Sequence, residues 1–229
     1  MPEMFEGNID FTQIIEGLGT KVAGEDVEVP GGNPFYIFDD ILVDKDKDWI
    51  EDTVLNSMEW YYNGGTTKYK IAGNDPKIKE THQFVHSLIA PGVPNSRYAG
   101  LIDPIILNIE KQTNMKVEEV QRVKANLLLN YPNWDHSMYH PPHVDIEDPT
   151  QDESNWLSMV YYVNDSDGDT YFFDTRWGEE TDDMTVIGQC NPKKGRAVVF
   201  HSNRYHASSC PVKSNKRIVL NFAMRVREK

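Results

Sequence analysis

From Glu118 onward the chain is a succession of segments rich in β-branched and aromatic residues: VQRVKANLLLNY, WLSMVYYV, TYFF, MTVIG, GRAVVF and RIVLNFAMRV, each followed by a turn-rich run. Residues of this kind in short runs bounded by Gly, Pro, Asn and Asp form strands. Before Glu118 the pattern differs. PFYIFDDIL predicts a short strand from about Pro34 to Phe38, and Asp44 to Lys47 offer caps for a helix through Trp49, Ile50, Val54, Leu55 and Met58 at helical spacing. Asp75-Pro76 and Asp103-Pro104 each pair a capping carboxylate with a proline suited to a first turn, predicting helices over Pro76–Ile89 and Pro104–Thr113. Helices early and strands late imply an α+β domain: a double-stranded β-helix, or jelly roll, whose N-terminal helices pack on one sheet from outside. Residues 1–33, interrupted by Gly17, Gly19, Gly24, Pro30, Gly31 and Gly32, read as an irregular arm, leaving 34–229 as the domain.

At 229 residues the chain fits one large domain. No run approaches the roughly 18 apolar residues of a membrane helix, and the N-terminus lacks the basic and apolar regions of a signal peptide, so the expectation is a cytoplasmic protein without a membrane partner. Cys190 and Cys210 are the only cysteines, which suits a reducing compartment. A net charge of −13 disfavours a nucleic-acid partner, because phosphate backbones are bound by clustered lysines and arginines. The more basic C-terminal third, from Lys193 to Arg227, reads as a solvated strand face with turn lysines. Oligomeric state is not legible.

Within the strand region one constellation carries chemistry. His143 and Asp145 stand two apart, so on an extended segment both face the same way, and Pro141-Pro142 stiffen the approach. His206, in RYHASS after GRAVVF, lies where a neighbouring strand brings it to the pair. Two neutral imidazoles and a carboxylate on one side of a metal leave the other positions open, the arrangement of non-haem ferrous sites. His201 is the rival third ligand, set aside for its spacing to Arg217. His136 and His140 flank the loop but have no carboxylate two residues on. His82 and His86, read as one helical turn apart, lack a third ligand.

Arg217 opens the last strand. A triad-bound iron carries about one net positive charge and 2-oxoglutarate two negative ones, so burying the cosubstrate calls for a fixed cation. A guanidinium can clamp the distal carboxylate through two parallel hydrogen bonds. Lys216 is the alternative if the register slips by one. A phenol would complete the clamp: Tyr162 and Tyr131 are the candidates, and because Tyr161 and Tyr162 face opposite ways only one of that pair reaches the pocket.

These residues carry a resemblance. Asn130-Tyr131 before HPPHVD, then YYVN, GDTYFF, PKKGRAVVFHS and HASSCPVKSNKRIVLNF resemble the iron(II) and 2-oxoglutarate-dependent dioxygenases, and among them the prolyl 4-hydroxylase-like branch, over about Pro34 to Arg225. The resemblance implies that His143, Asp145 and His206 bind iron and form the catalytic centre. It also implies that Arg217 and Tyr162 hold the distal carboxylate, with Tyr131 near the cosubstrate or the pocket floor, Fe(II), 2-oxoglutarate and O2 as cofactors, and ascorbate as a possible accessory. The segment between Tyr131 and His143, with Trp134, His136 and His140, is longer than in many relatives, and the turn before Arg217 is extended by a residue.

The implied activity is hydroxylation of an unactivated C–H bond, on a prolyl residue in a peptide or on a free amino acid. Two alternatives stand beside it: a non-catalytic jelly-roll binding module that keeps a metal for stability, and a nucleic-acid demethylase, which the acidic balance disfavours. A buried arginine clamp discriminates against the first. DTRWGEETDD, Asp174 to Asp183, reads as a lid bearing Arg176 and Trp177 or as a plain surface loop.

Overall fold

The computed structural model describes residues 35–67, 75–147, 155–179 and 184–229. The expected arm at 1–33, most of the acidic stretch Glu147–Glu153 and the end of the Asp174–Asp183 loop lie outside them. Ten strands and two α-helices occur among the described residues: β1 (Tyr36–Phe38), α1 (Asp44–Asn56), β2 (Tyr61–Asn63), β3 (Gln83–Ile89), α2 (Asp103–Gln112), β4 (Met115–Leu129), β5 (Trp156–Tyr162), β6 (Thr170–Arg176), β7 (Val186–Cys190), β8 (Ala197–His201), β9 (Arg204–Ser208) and β10 (Lys216–Glu228). A seven-stranded sheet runs β1-β8-β5-β10-β4-β3-β2, and a three-stranded sheet runs β7-β6-β9. Every strand pair in both sheets is antiparallel.

Strand periodicity sorts the apolar residues between two cores. Ile218, Leu220, Phe222, Met224 and Val226 of β10 face one way with Leu157, Met159 and Tyr161 of β5, and there Ile50 and Val54 of α1 and Ile105 and Ile109 of α2 pack on them. Val219, Val160, Tyr162, Val198 and Phe200 face the other way and meet Phe172 of the small sheet. Helices thus cover the outer face of the large sheet, and the small sheet covers part of its inner face, the jelly-roll arrangement expected. Among the described residues no helix is long and apolar enough to cross a membrane.

The helix expected over Pro76–Ile89 is not there. Asp75 caps a turn instead: Oδ1 accepts the Lys77 N–H at 2.9 Å and Oδ2 accepts the Tyr139 hydroxyl at 2.7 Å. Gln83–Ile89 then pairs with β4. The apolar residues of QFVHSLI, Phe84, Val85, Leu88 and Ile89, do not alternate strictly, and it is the sheet edge beside β4 that outweighs the local cap. His82 and His86 accordingly do not share a helix face; His86 bonds the Glu59 carbonyl and the Ser96 hydroxyl.

Candidate active site

The approach to the site is fixed by backbone. His143 and His206 exchange N–H···O=C bonds of 3.0 and 2.9 Å, and the Asp145 N–H donates to the Ser202 carbonyl at 3.0 Å. This short antiparallel bridge joins the HPPHVD segment to β9 and brings residues distant in sequence face to face. Ligand atoms of His143, Asp145 and His206 all lie within 4.8 Å of one another. His206 Nε2 is 3.6 Å from Asp145 Oδ2, and the two imidazole centroids are 4.5 Å apart.

The orientation of both rings follows from their other nitrogens. His206 Nδ1 lies 3.1 Å from the Arg204 carbonyl and His143 Nδ1 lies 3.5 Å from the Pro141 carbonyl. A carbonyl only accepts, so each Nδ1 is the protonated nitrogen and each Nε2 presents its lone pair to the cluster. Burial lowers the His143 pKa to about 3, with the neighbouring His206 adding to the effect. His206 is lowered in the same direction, again first by burial. Burial alone would raise Asp145, but the charge of Arg122, with the Ser158 hydroxyl bonded to the carboxylate, outweighs it and holds the carboxyl well below its usual range. Neutral imidazoles beside an ionised carboxylate are the protonation states a divalent metal needs. The donor set fits one.

Asp145 is held by residues the sequence did not single out. Arg122 Nη2 pairs with Oδ1, Ser158 Oγ donates to Oδ2 at 2.6 Å, and Asn221 Nδ2 reaches Oδ1 at 3.3 Å. The legible signal was Arg122, Lys124 and Asn126: polar residues at a period of two, alternating with the apolar Val123, Ala125 and Leu127.

A cavity of about 600 Å³ opens beside the triad, lined among others by His143, Asp145, His206, Thr170, Arg217 and Asn221. That volume is in the range of small-molecule sites. Arg217 is 2 % exposed, and its Nε and Nη2 donate to the Gly168 carbonyl at 2.7 Å and to Thr170 Oγ1 at 2.8 Å. Burial lowers its pKa, yet a guanidinium remains charged. Gly168 has no room for a side chain: a Cβ there would sit 2.5 Å from the Ser209 carbonyl oxygen. Lys216, the rival to Arg217, does not line the cavity.

The tyrosines fall differently from the expectation. Tyr162 is buried, as reasoned, on the face opposite to Tyr161. It stands behind the cavity, however: its hydroxyl pairs with Thr170 Oγ1 at 2.7 Å and donates to the Cys190 carbonyl at 3.3 Å, while the Arg217 guanidinium lies 5.6 Å from its ring centroid. Thr170 occupies the place reserved for a phenol. Tyr131 is 40 % exposed, against His82, and does not line the cavity.

His140 is a rivet within the fold. It is fully buried, with Nε2 at 2.8 Å from Thr81 Oγ1, Nδ1 at 2.8 Å from the Ser208 carbonyl, and Trp134 packed on the ring. His201 lies outside the cluster, and His136 is 3.9 Å from Asp167.

Residues 126–225 match the family model of the 2OG-Fe(II) oxygenase superfamily. Among solved structures, the chain is similar to the non-heme alpha ketoglutarate dependent epimerase SnoN from nogalamycin biosynthesis, with 14 % identity, 84 % of this chain and 78 % of that one covered, and a TM-score of 0.55. It is also similar to a prolyl hydroxylase from Trichoplax adhaerens in complex with a hypoxia inducible factor peptide, at 12 % identity, 84 % of each chain and a TM-score of 0.52. An oxidoreductase of the 2OG-Fe(II) oxygenase family from Burkholderia pseudomallei gives 12 % identity, 84 % and 85 % coverage and a TM-score of 0.53. No curated protein sequence matches. The structural likenesses are likenesses of fold; it is the sequence match, running from β4 to β10 through both histidines, that places the stretch from Asn126 to Arg225 in the 2OG-Fe(II) oxygenase superfamily and supports an oxidoreductase.

Proposed function

We propose that the chain hydroxylates an unactivated C–H bond, on a prolyl residue of a peptide or on a free amino acid, with His143, Asp145 and His206 holding the iron and Arg217 holding the distal carboxylate of 2-oxoglutarate. The observation that carries the reading is the presence of the triad and the buried, rigidly held Arg217 on one cavity. A metal kept for stability alone needs no such cation, which counts against a non-catalytic binding module.

Bound iron and 2-oxoglutarate would supply the oxidant, one oxygen atom of O2 leaving in succinate and the other entering the product. The chain's residues do the rest. The carbonyls of Arg204 and Pro141 keep both imidazoles in the metal-binding tautomer. Ser158 and Arg122 fix the carboxylate of Asp145, as outer partners of a metal ligand do. Gly168 and Thr170 aim the guanidinium of Arg217, and Tyr162 braces Thr170 from behind. Phe200 and Phe172 wall the site against bulk water.

Purified protein supplied with Fe(II), 2-oxoglutarate and a panel of amino acids and prolyl peptides should release succinate in an iron-dependent manner, with one substrate gaining the mass of an oxygen atom. Succinate release unaffected by Asp145→Ala would refute the assignment.

A further inference from the structure

The two oxygens of Asp145 are committed to different neighbours. Oδ2 lies 3.6 Å from His206 Nε2, on the side of the imidazoles, and accepts the Ser158 hydroxyl at 2.6 Å. Oδ1 pairs with the Arg122 guanidinium and has Asn221 Nδ2 at 3.3 Å. Arg122 reaches it from β4, and among the described residues Asp145 is the one carboxylate within ion-pair distance of that guanidinium. The Asp145 side chain is 2 % exposed, so salt and water screen the pair weakly.

Ser158 and Arg122 both orient the carboxylate, but only one of them changes its charge. A hydroxyl is neutral, whereas a guanidinium is always charged and cancels the carboxylate. Two neutral imidazoles, Asp145 and Arg122 together carry no net charge, where the three ligands alone carry a single negative one. A divalent ion bound there keeps both of its positive charges. An added cation beside such a site acts in opposite directions on its two guests: it repels a metal dication and attracts the cosubstrate dianion, and where water is scarce both effects exceed those in solution.

We propose that Arg122 is a positioning residue that acts through Asp145 to lower the affinity of the triad for a divalent ion and to raise the affinity of the loaded site for the 2-oxoglutarate dianion. This rests on the reading above and adds to it a charge that neither the triad nor Arg217 supplies. A guanidinium that only propped the carboxylate would have a different signature, because its removal would loosen the metal and the cosubstrate together.

The test uses the full chain with three substitutions: Arg122→Gln keeps a donor and loses the charge, Arg122→Met loses both, and Arg122→Lys keeps the charge. Zn(II) affinity is measured by competition with a chromophoric chelator, and 2-oxoglutarate affinity by calorimetry on the protein saturated with Zn(II). Arg122→Gln and Arg122→Met should bind Zn(II) roughly tenfold or more tighter than the unaltered protein and 2-oxoglutarate roughly tenfold or more weaker, while Arg122→Lys stays close to the unaltered protein in both. Ser158→Ala, which removes a neutral partner, should lose metal affinity instead. The proposal is overturned if Arg122→Gln binds Zn(II) no more tightly, if its 2-oxoglutarate affinity is unchanged, or if Arg122→Lys behaves as Arg122→Gln does. Should the uncharged variants fail to fold without metal, folding on addition of Zn(II) is the expected result, since Asp145 then regains a cation; a chain that stays unfolded with Zn(II) overturns the proposal. Failure of the iron and 2-oxoglutarate reading is seen separately, as no binding of 2-oxoglutarate to the unaltered metal-loaded protein, and the Zn(II) competition then still scores the effect of Arg122 on the metal.

Discussion

The two flanks of the cavity are finished to different degrees. On the flank formed by β5, β6 and β9 with the start of β10, the functional groups are tied into the protein: Arg217 to Gly168 and Thr170, Tyr162 to Thr170, Asp145 to Ser158, and both histidines to backbone carbonyls. On the flank formed by β4 and the facing Asn221, two amide oxygens and a guanidinium nitrogen are buried without a hydrogen-bond partner among the described residues. A pocket wall that is already saturated suits groups that return unchanged in kind at every turnover, the metal and the cosubstrate. Preorganisation is concentrated on one side of a single cavity.

Substitutions can break that division. The largest effect belongs to the triad: His143→Ala or Asp145→Ala should reduce iron-dependent succinate formation to background, measured with substrate present. Next comes Arg217→Ala. Removing a buried charge that faces a carboxylate costs about 2–5 kcal/mol, so the affinity for 2-oxoglutarate should fall roughly 30-fold or more while iron binding, followed separately, changes little. Ser158→Ala removes an outer partner of Asp145 and should lower metal affinity about 10–100-fold, which a competitive chelator titration would read.

A smaller effect concerns stability. Gly168→Ala drives a methyl into the Ser209 carbonyl, at a cost of about 1–3 kcal/mol, and displaces the carbonyl that aims Arg217. Chemical denaturation should show the loss together with a raised KM for 2-oxoglutarate; a loss of stability with KM intact would mean that Gly168 does not position the arginine.

Acid should act through the buried imidazoles. Burial holds His140 at about 3 against an unfolded value near 6.5, so between these limits the unfolded chain binds a proton that the folded chain does not. Stability is therefore complete above about pH 6.5 and declines as pH falls toward 3. The His140 contribution amounts to about 2 kcal/mol at pH 5. Denaturation of metal-free protein at pH 7.5 and pH 5 should show the drop, and His140→Gln should show a shallower one.

Much of this architecture was legible in the sequence, and the omissions have physical causes. The strands after Glu118 were readable because β-branched and aromatic residues gather there in short runs, each bounded by turn residues. His143, Asp145 and His206 were readable because a two-residue spacing fixes the relative direction of a pair on any extended backbone. The stretch Pro76–Ile89 was misread because Asp75-Pro76 is a good local cap, and only pairing with β4, a contact made across the fold, decides for a strand. Thr170 was overshadowed by Tyr162 because a sequence gives the face of a side chain but not its depth. Tyr162 is on the expected face and one layer too far back. The hydrogen bond from Asn126 Nδ2 to Gln83 Oε1, at 2.8 Å, was invisible because it depends on the register of β3 against β4, which no local pattern encodes.

The central claim is that His143, Asp145, His206 and Arg217 together bind iron and 2-oxoglutarate on one cavity. Its most direct test is anaerobic titration of the protein with Fe(II) and 2-oxoglutarate, following the visible metal-to-ligand charge-transfer absorption of the chelate. The account predicts a saturable band with one equivalent of each component, absent in Asp145→Ala and shifted to much higher 2-oxoglutarate concentration in Arg217→Ala. No band in the unaltered protein, or an undiminished band in Asp145→Ala, would contradict it.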